Sequence, residues 1–202
     1  IHMWFEDELA NNFLTIGDTL ITPPLFDTTV YYIRSLGISN SYFVGDTNTS
    51  ITSYDLPVNG TYEYSFGSSI YLAEEIGARG YIDTLSYFLT DVYSDFTLSN
   101  QKIFIKETSL NEHISTSMPD TTDMTKVFDG TILLSGEGWQ KIALQNPFYY
   151  SGENNLQIVW VSNSGTFQSY YVTFLVTPVN TNRGLSTYSS YLPLSDGTLY
   201  SY

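Results

Sequence analysis

Apolar and polar residues alternate in short runs along most of the chain, and clusters of Gly, Asn, Asp, Ser and Pro separate the runs. A period of two places alternate side chains on one face of a strand, so each run predicts a strand with a core side and a solvent side. The expected strands span residues 62–66, 82–90, 102–106, 126–134, 140–144, 155–161 and 170–176. Parity names their inward faces: Ile103 with Ile105, Leu156 with Ile158 and Trp160, and Val172 with Phe174 and Val176. Each strand is therefore expected to bury one face. Residues 71–76, with Glu74-Glu75 and a closing Gly77, predict at most a turn of helix.

The opening stretch reads differently. A short apolar strand is followed by the acidic turn Glu6-Asp7-Glu8, a strand at 13–16, a turn at Gly17-Asp18, the run Thr22-Pro23-Pro24 and a strand at 28–33. These are too few strands to close two sheets, because an Ig-like sandwich needs about seven. Residues 37–60 are rich in Gly, Ser, Asn, Asp and Thr, which reads as a junction and places a boundary near Gly37. The expected organisation is an incomplete β-module over 1–36 and an all-β antiparallel sandwich or jelly roll over 37–202.

Composition supports sheet over helix: aromatics reach 16% and Tyr alone numbers 18, whereas charged residues are 14%. The net charge of −14 repels phosphate backbones and anionic lipid, which argues against nucleic acid as a partner. No apolar run is long enough to cross a bilayer as a helix, so no membrane insertion is expected. The first residues lack the basic start and apolar stretch of a signal peptide, so a secretion signal would lie outside this chain. The absence of Cys removes disulfides, thiolate zinc sites and a Cys nucleophile, leaving the fold to stand on its core.

Motifs that carry chemistry are scarce. His2 and His113 have no partner at metal-binding spacing and read as surface histidines, and no Ser lies in a nucleophile elbow or phosphate loop. A glycan hydrolase could assemble two carboxylates from separate strands, with Asp83, Asp91, Glu107 and Asp129 as unranked choices, but solvated loop carboxylates are the simpler reading. No enzyme is expected. For calcium, the loop clusters are Asp46 with Asp55, Asp120 with Asp123, and Glu74 with Glu75, none at EF-hand spacing, so no metal ligands are assigned. For carbohydrate, stacking surfaces would come from Tyr149, Tyr150, Tyr170 and Tyr171 and from Tyr188, Tyr191, Tyr200 and Tyr202, while Trp139 and Trp160 read as core.

Residues 64–87, YSFGSSIYLAEEIGARGYIDTLSY, and 126–160, KVFDGTILLSGEGWQKIALQNPFYYSGENNLQIVW, carry a family likeness. Through Ile70-Tyr71, Glu75-Ile76-Gly77, Gly80 with Ile82, Val127 to Gly130, Gly138-Trp139, Pro147-Phe148 and Tyr150 to Leu156, this region resembles the jelly-roll modules related to gingipain cleaved-adhesin domains. The opening segment, with Trp4-Phe5, Gly17-Asp18, Thr22-Pro23 and TTVYYI at 28–33, is similar to the second half of a bacterial Ig-like module of large type IX secretion substrates. The resemblance implies an extracellular or cell-surface location and neighbouring domains on the same polypeptide. It also implies adhesion to a glycan or a surface protein, and structural calcium as the one candidate cofactor. A structural spacer is the alternative reading. No closing strand is evident after Gly197-Thr198-Leu199.

Overall fold

Short alternating segments have one apolar face to bury, and they do so here by pairing antiparallel, mostly with strands distant in sequence. The computed structural model describes residues 2–17, 19–35, 41–91, 95–169, 171–194 and 196–202. The chain divides into two units, Ile1–Tyr42 and Phe43–Tyr202. Gly37, the expected boundary, and Asp18, of the expected turn, lie outside the described residues.

In the first unit, β1 (His2–Phe5), β2 (Phe13–Ile16) and β3 (Tyr32–Ser35) form an antiparallel sheet in the order β2-β1-β3. Met3 and Phe5 are buried, whereas Ile21, Leu25, Phe26 and Val30 are exposed. The acidic turn is closed by Asp7, whose carboxylate accepts the backbone N–H groups of Asn11 at 3.2 Å and Asn12 at 2.6 Å. The strand expected at 28–33 begins later, at Tyr32.

The second unit contains β4 (Ile51–Ser53), β5 (Tyr64–Tyr71), α1 (Ala73–Ile76), β6 (Gly80–Asp91), β7 (Phe96–Thr108), β8 (Thr125–Leu134), β9 (Gly138–Tyr150), β10 (Asn155–Ser162), β11 (Thr173–Val176), β12 (Gly184–Ser189) and β13 (Thr198–Tyr200). One sheet has the order β13-β12-β5-β10-β7-β8 and the other β4-β11-β6-β9, with every pairing antiparallel. The quartets β5-β10-β7-β8 and β4-β11-β6-β9, with the chain passing repeatedly from one sheet to the other, make a jelly-roll sandwich. The fold is all-β, as the alternation implied. β12 and β13 widen the first sheet beside β5, and β13 is formed by Thr198 and Leu199 themselves with Tyr200.

Between the sheets, Ile103, Ile105, Leu156, Ile158, Trp160, Val172 and Phe174 join Leu85, Leu89, Ile142 and Leu144 on the expected faces, whereas Val176, expected with Val172 and Phe174, is only half-buried and outside this cluster. One-sided burial fails at β10. Its other face carries Val159 and Val161, which pack with Phe66, Met124 and Leu185 in a second cluster. Met124 belongs to the segment joining β7 to β8, and that segment also carries His113, which is buried against expectation. The His113 N–H donates to the Asn182 carbonyl at 2.7 Å and its Nε2 lies 3.3 Å from the Ser68 carbonyl. Burial, opposed by the Ser68 carbonyl, holds its pKa below the ordinary value.

The helical turn closes as its residues suggest. Gly77 takes φ 59° and its N–H reaches the Ala73 carbonyl at 2.9 Å, while Glu75 accepts the Leu72 N–H at 3.2 Å.

Candidate functional site: an aromatic end of the sandwich

The loops joining β4 to β5 and β10 to β11 and the end of β12 bring aromatic side chains together. Residues 56–61 are buried, and Asn59 organises them: its Oδ1 accepts the N–H groups of Thr61 at 3.0 Å and Tyr62 at 3.4 Å, and its carbonyl accepts the Ser65 hydroxyl at 2.8 Å. The β10–β11 loop is tied to the same segment, with Gln168 N–H donating to the Thr61 carbonyl at 2.8 Å and Gly165 N–H to the Glu63 carbonyl at 2.9 Å. The side chains these loops carry are held by backbone contacts.

On this base, Tyr62 stacks on Tyr188 with ring centroids 4.4 Å apart and an interplanar angle of 28°. Phe167 meets Tyr62 edge-on at 5.8 Å, and Tyr54 meets Tyr171 edge-on at 5.3 Å and 67°. Tyr171 is 65% exposed, Phe167 52%, Tyr54 49% and Tyr188 42%, so ring surface stays open to a ligand. Asp55, half-buried directly after Tyr54, accepts the Tyr200 hydroxyl at 2.9 Å, while its N–H donates to the Ser53 hydroxyl at 3.1 Å. Ser53 in turn donates to the Tyr202 hydroxyl at 3.3 Å. The Glu63 carboxylate accepts the Ser190 hydroxyl at 2.7 Å.

Electrostatics link these groups. Burial first, then the Asp55 carboxylate, Tyr62 and Tyr171, raise the Tyr188 phenol above its ordinary range. Burial first and then the Asp55 hydrogen bond raise Tyr200 well above it. Both phenols therefore remain neutral hydrogen-bonding groups at physiological pH.

Of the four tyrosines expected to bind ligand, Tyr171 lies in this array and Tyr170 lies outside the described residues. Tyr149 and Tyr150 are elsewhere. β6 pairs with Tyr150 at Gly80 and with Thr173 at Asp91, so Tyr149 and Tyr150 lie toward one end of that strand and Tyr171 toward the other. Tyr149 is exposed beside Tyr81 at 5.2 Å. Tyr150 is only 2% exposed and donates its hydroxyl to the Asn154 carbonyl at 2.7 Å, which corrects its assignment as a ligand group: it is a core residue. Tyr188 joins the array, Tyr200 and Tyr202 flank Asp55, and Tyr191 is exposed. Tyr54, Tyr62 and Phe167 were not singled out in sequence. The Asn and Gly residues around Tyr62 were their one local signal.

The tryptophans separate. Trp160 fills the core, whereas Trp139, expected there, is 48% exposed and meets Phe43 and Phe88 edge-on at 5.6 and 5.4 Å. Parity explains it: Ile142 and Leu144 point inward on β9, so Trp139 points outward.

Several of the other carboxylates are engaged locally. Glu107 accepts the Ser151 hydroxyl and N–H, both at 2.6 Å, and Asn154 at 3.2 Å. Burial alone would raise its pKa, but these hydrogen bonds outweigh that and lower it. Asp129 pairs with Lys126 at 2.6 Å and Asp123 with Lys106 at 3.0 Å. Asp83 and Asp91 are exposed on β6. Of the calcium candidates, Asp46 binds the N–H of Asn48 at 2.9 Å near one end of β4 while Asp55 lies past the other, Asp120 accepts the Thr122 N–H at 2.9 Å, and Glu75 pairs with Arg183. Among the described residues no three His, Asp or Glu side chains group as a metal site would require. His2 lies in β1, half-buried.

Fold and site together define a β-sandwich protein of jelly-roll topology with a preformed aromatic surface at one end. Comparison with known proteins finds no matching family model, no similar curated protein and no similar solved structure.

Proposed function

We propose that this chain is a non-catalytic glycan-binding module that works outside the cell as part of a larger secreted or surface polypeptide. The observation that carries the reading is the array of Tyr54, Tyr62, Phe167 and Tyr171, on loops fixed by backbone hydrogen bonds, with Tyr188 at the end of β12. Sugar rings present apolar C–H faces that stack on aromatic rings, and their hydroxyls hydrogen-bond to carboxylates and phenols such as Asp55, Glu63 and Tyr200. A rigid aromatic surface binds without a large ordering cost. The likeness to cleaved-adhesin jelly rolls supports the adhesive setting. The carboxylates weighed for glycan hydrolysis are held in local hydrogen bonds and ion pairs or lie on an exposed strand, which favours binding over chemistry.

The test is a panel of immobilised neutral, cationic and acidic polysaccharides probed with the intact chain and with Tyr171→Ala and Tyr188→Ala. Binding to at least one glycan, weakened about five- to tenfold by each substitution with melting temperature retained, is the expected result. Absence of binding across the panel, or binding indifferent to both substitutions, overturns the proposal.

A further inference from the structure

The aromatic end carries charge of one sign. The segments that build it, residues 53–63, 164–169, 171, 187–191 and 199–202, contain Asp55 and Glu63 and neither Lys nor Arg. The carboxylates elsewhere in this unit include three with a basic partner: Asp123 with Lys106, Asp129 with Lys126 and Glu75 with Arg183. Asp55 is instead held by neutral groups, accepting from the Tyr200 hydroxyl at 2.9 Å. It follows Tyr54, whose ring stands at 67° to that of Tyr171.

A carboxylate partly withdrawn from water without a counter-cation attracts positive charge more strongly than one in bulk solvent. The faces of tyrosine rings add to this, because their quadrupoles are negative above the plane and attract ammonium groups. Tyr54 and Tyr171 meet edge-on and stay 49% and 65% exposed, which leaves ring face open to such a group. The net charge of −14 works in the same direction at longer range, drawing cationic ligands in and holding uronate- or sulfate-bearing ones off.

We infer that the site selects a glycan whose sugars carry protonated amines, such as a glucosamine polymer, over neutral or acidic glycans. This rests on the glycan-binding reading and gives it a substrate class. Asp55 is the group that confers the preference, and the tyrosines supply stacking common to any sugar.

The experiment measures affinities of the intact chain by calorimetry for a glucosamine hexamer, its N-acetylated counterpart, a neutral β-glucan oligomer, a galacturonate oligomer and a lysine-rich peptide. The glucosamine hexamer is measured at a pH below and a pH above the titration of its amines. The expected result is about tenfold tighter binding of the protonated hexamer than of its N-acetylated form, an advantage lost above that titration and reduced by salt. Asp55→Asn, whose amide oxygen still accepts the Tyr200 hydroxyl, brings the two affinities to within about twofold, with Glu63→Gln as a second probe and melting temperature as the fold control. Equal affinity for the charged and acetylated hexamers, tighter binding of galacturonate, or a preference that survives Asp55→Asn overturns the inference while leaving glycan binding in place. Binding of the peptide but of no oligosaccharide overturns both.

Discussion

Trp160 is the largest fully buried side chain, and its indole N–H donates to Gln101 Oε1 at 2.7 Å. Gln101 in turn donates to the Ser162 hydroxyl at 2.8 Å and the Ser99 carbonyl at 2.7 Å, so one buried amide satisfies groups on β7 and β10 together. Gln101→Leu would preserve the apolar volume and orphan the indole N–H, at a cost of roughly 2–4 kcal/mol in urea denaturation. A loss under about 1 kcal/mol would mean that water replaces the amide. At this scale the sequence was uneven as a guide. Adjacent tyrosines on a strand must face opposite ways, so the division of Tyr149 from Tyr150 was readable from alternation, as was the outward turn of Trp139. The burial of His113 was not: its neighbours are polar, and it is covered through the carbonyls of Asn182 and Ser68, both distant in the chain.

Among the elements, β5 shows how a pattern can hide a strand. Gly67, Ser68 and Ser69 have the composition of a turn, and the expected strand stopped at 66, yet β5 runs on to Tyr71 between β10 and β12. Small residues are needed there because residues 56–57 press on the sheet: a Cβ at Gly67 would lie 2.2 Å from the Pro57 carbonyl oxygen and 2.9 Å from a Leu56 methyl. Gly67→Ala therefore has to displace backbone, with an expected loss of about 2–4 kcal/mol read from chemical denaturation, and it should also weaken glycan binding by shifting the loop that carries Tyr54 and Tyr62. An unchanged denaturation midpoint would contradict the close approach. The jelly roll itself was legible because its inward parities, such as Ile103 with Ile105, are local. The pairing of β12 with β13 was not, since Gly184 to Ser189 lacks a clean apolar period and its partner lies across a loop.

For the molecule as a whole, pH gathers several of these groups into one curve. His113 is held below its ordinary 6.5, so the unfolded chain takes up that proton before the folded chain does. Stability is then complete above about pH 6.5 and falls as the pH drops below it. Glu107, Asp120 and Asp129 are also lowered, from ordinary values of 4.5, 3.8 and 3.8, and their contribution is present at neutral pH and lost as the pH falls through the carboxylate range. Urea midpoints taken from about pH 8 to about pH 5 should decline for the native chain and stay flatter for His113→Gln, while both decline in stronger acid. Identical curves for the two proteins would show that His113 titrates alike folded and unfolded.

β10, walled by side chains on both faces and hydrogen-bonded to β5 and β7 along both edges, has no exit that leaves the rest standing. Its amide protons can meet deuterium only when both clusters come apart, so the slowest exchange in the molecule belongs to Ile158, Val159 and Trp160 and reports the free energy of global opening. The loops of the aromatic end lie outside the strand ladders and can open without separating both clusters. Sugar capture at the aromatic end should slow exchange around Tyr62 and Tyr171 first, leaving the central strand as an internal clock for the fold.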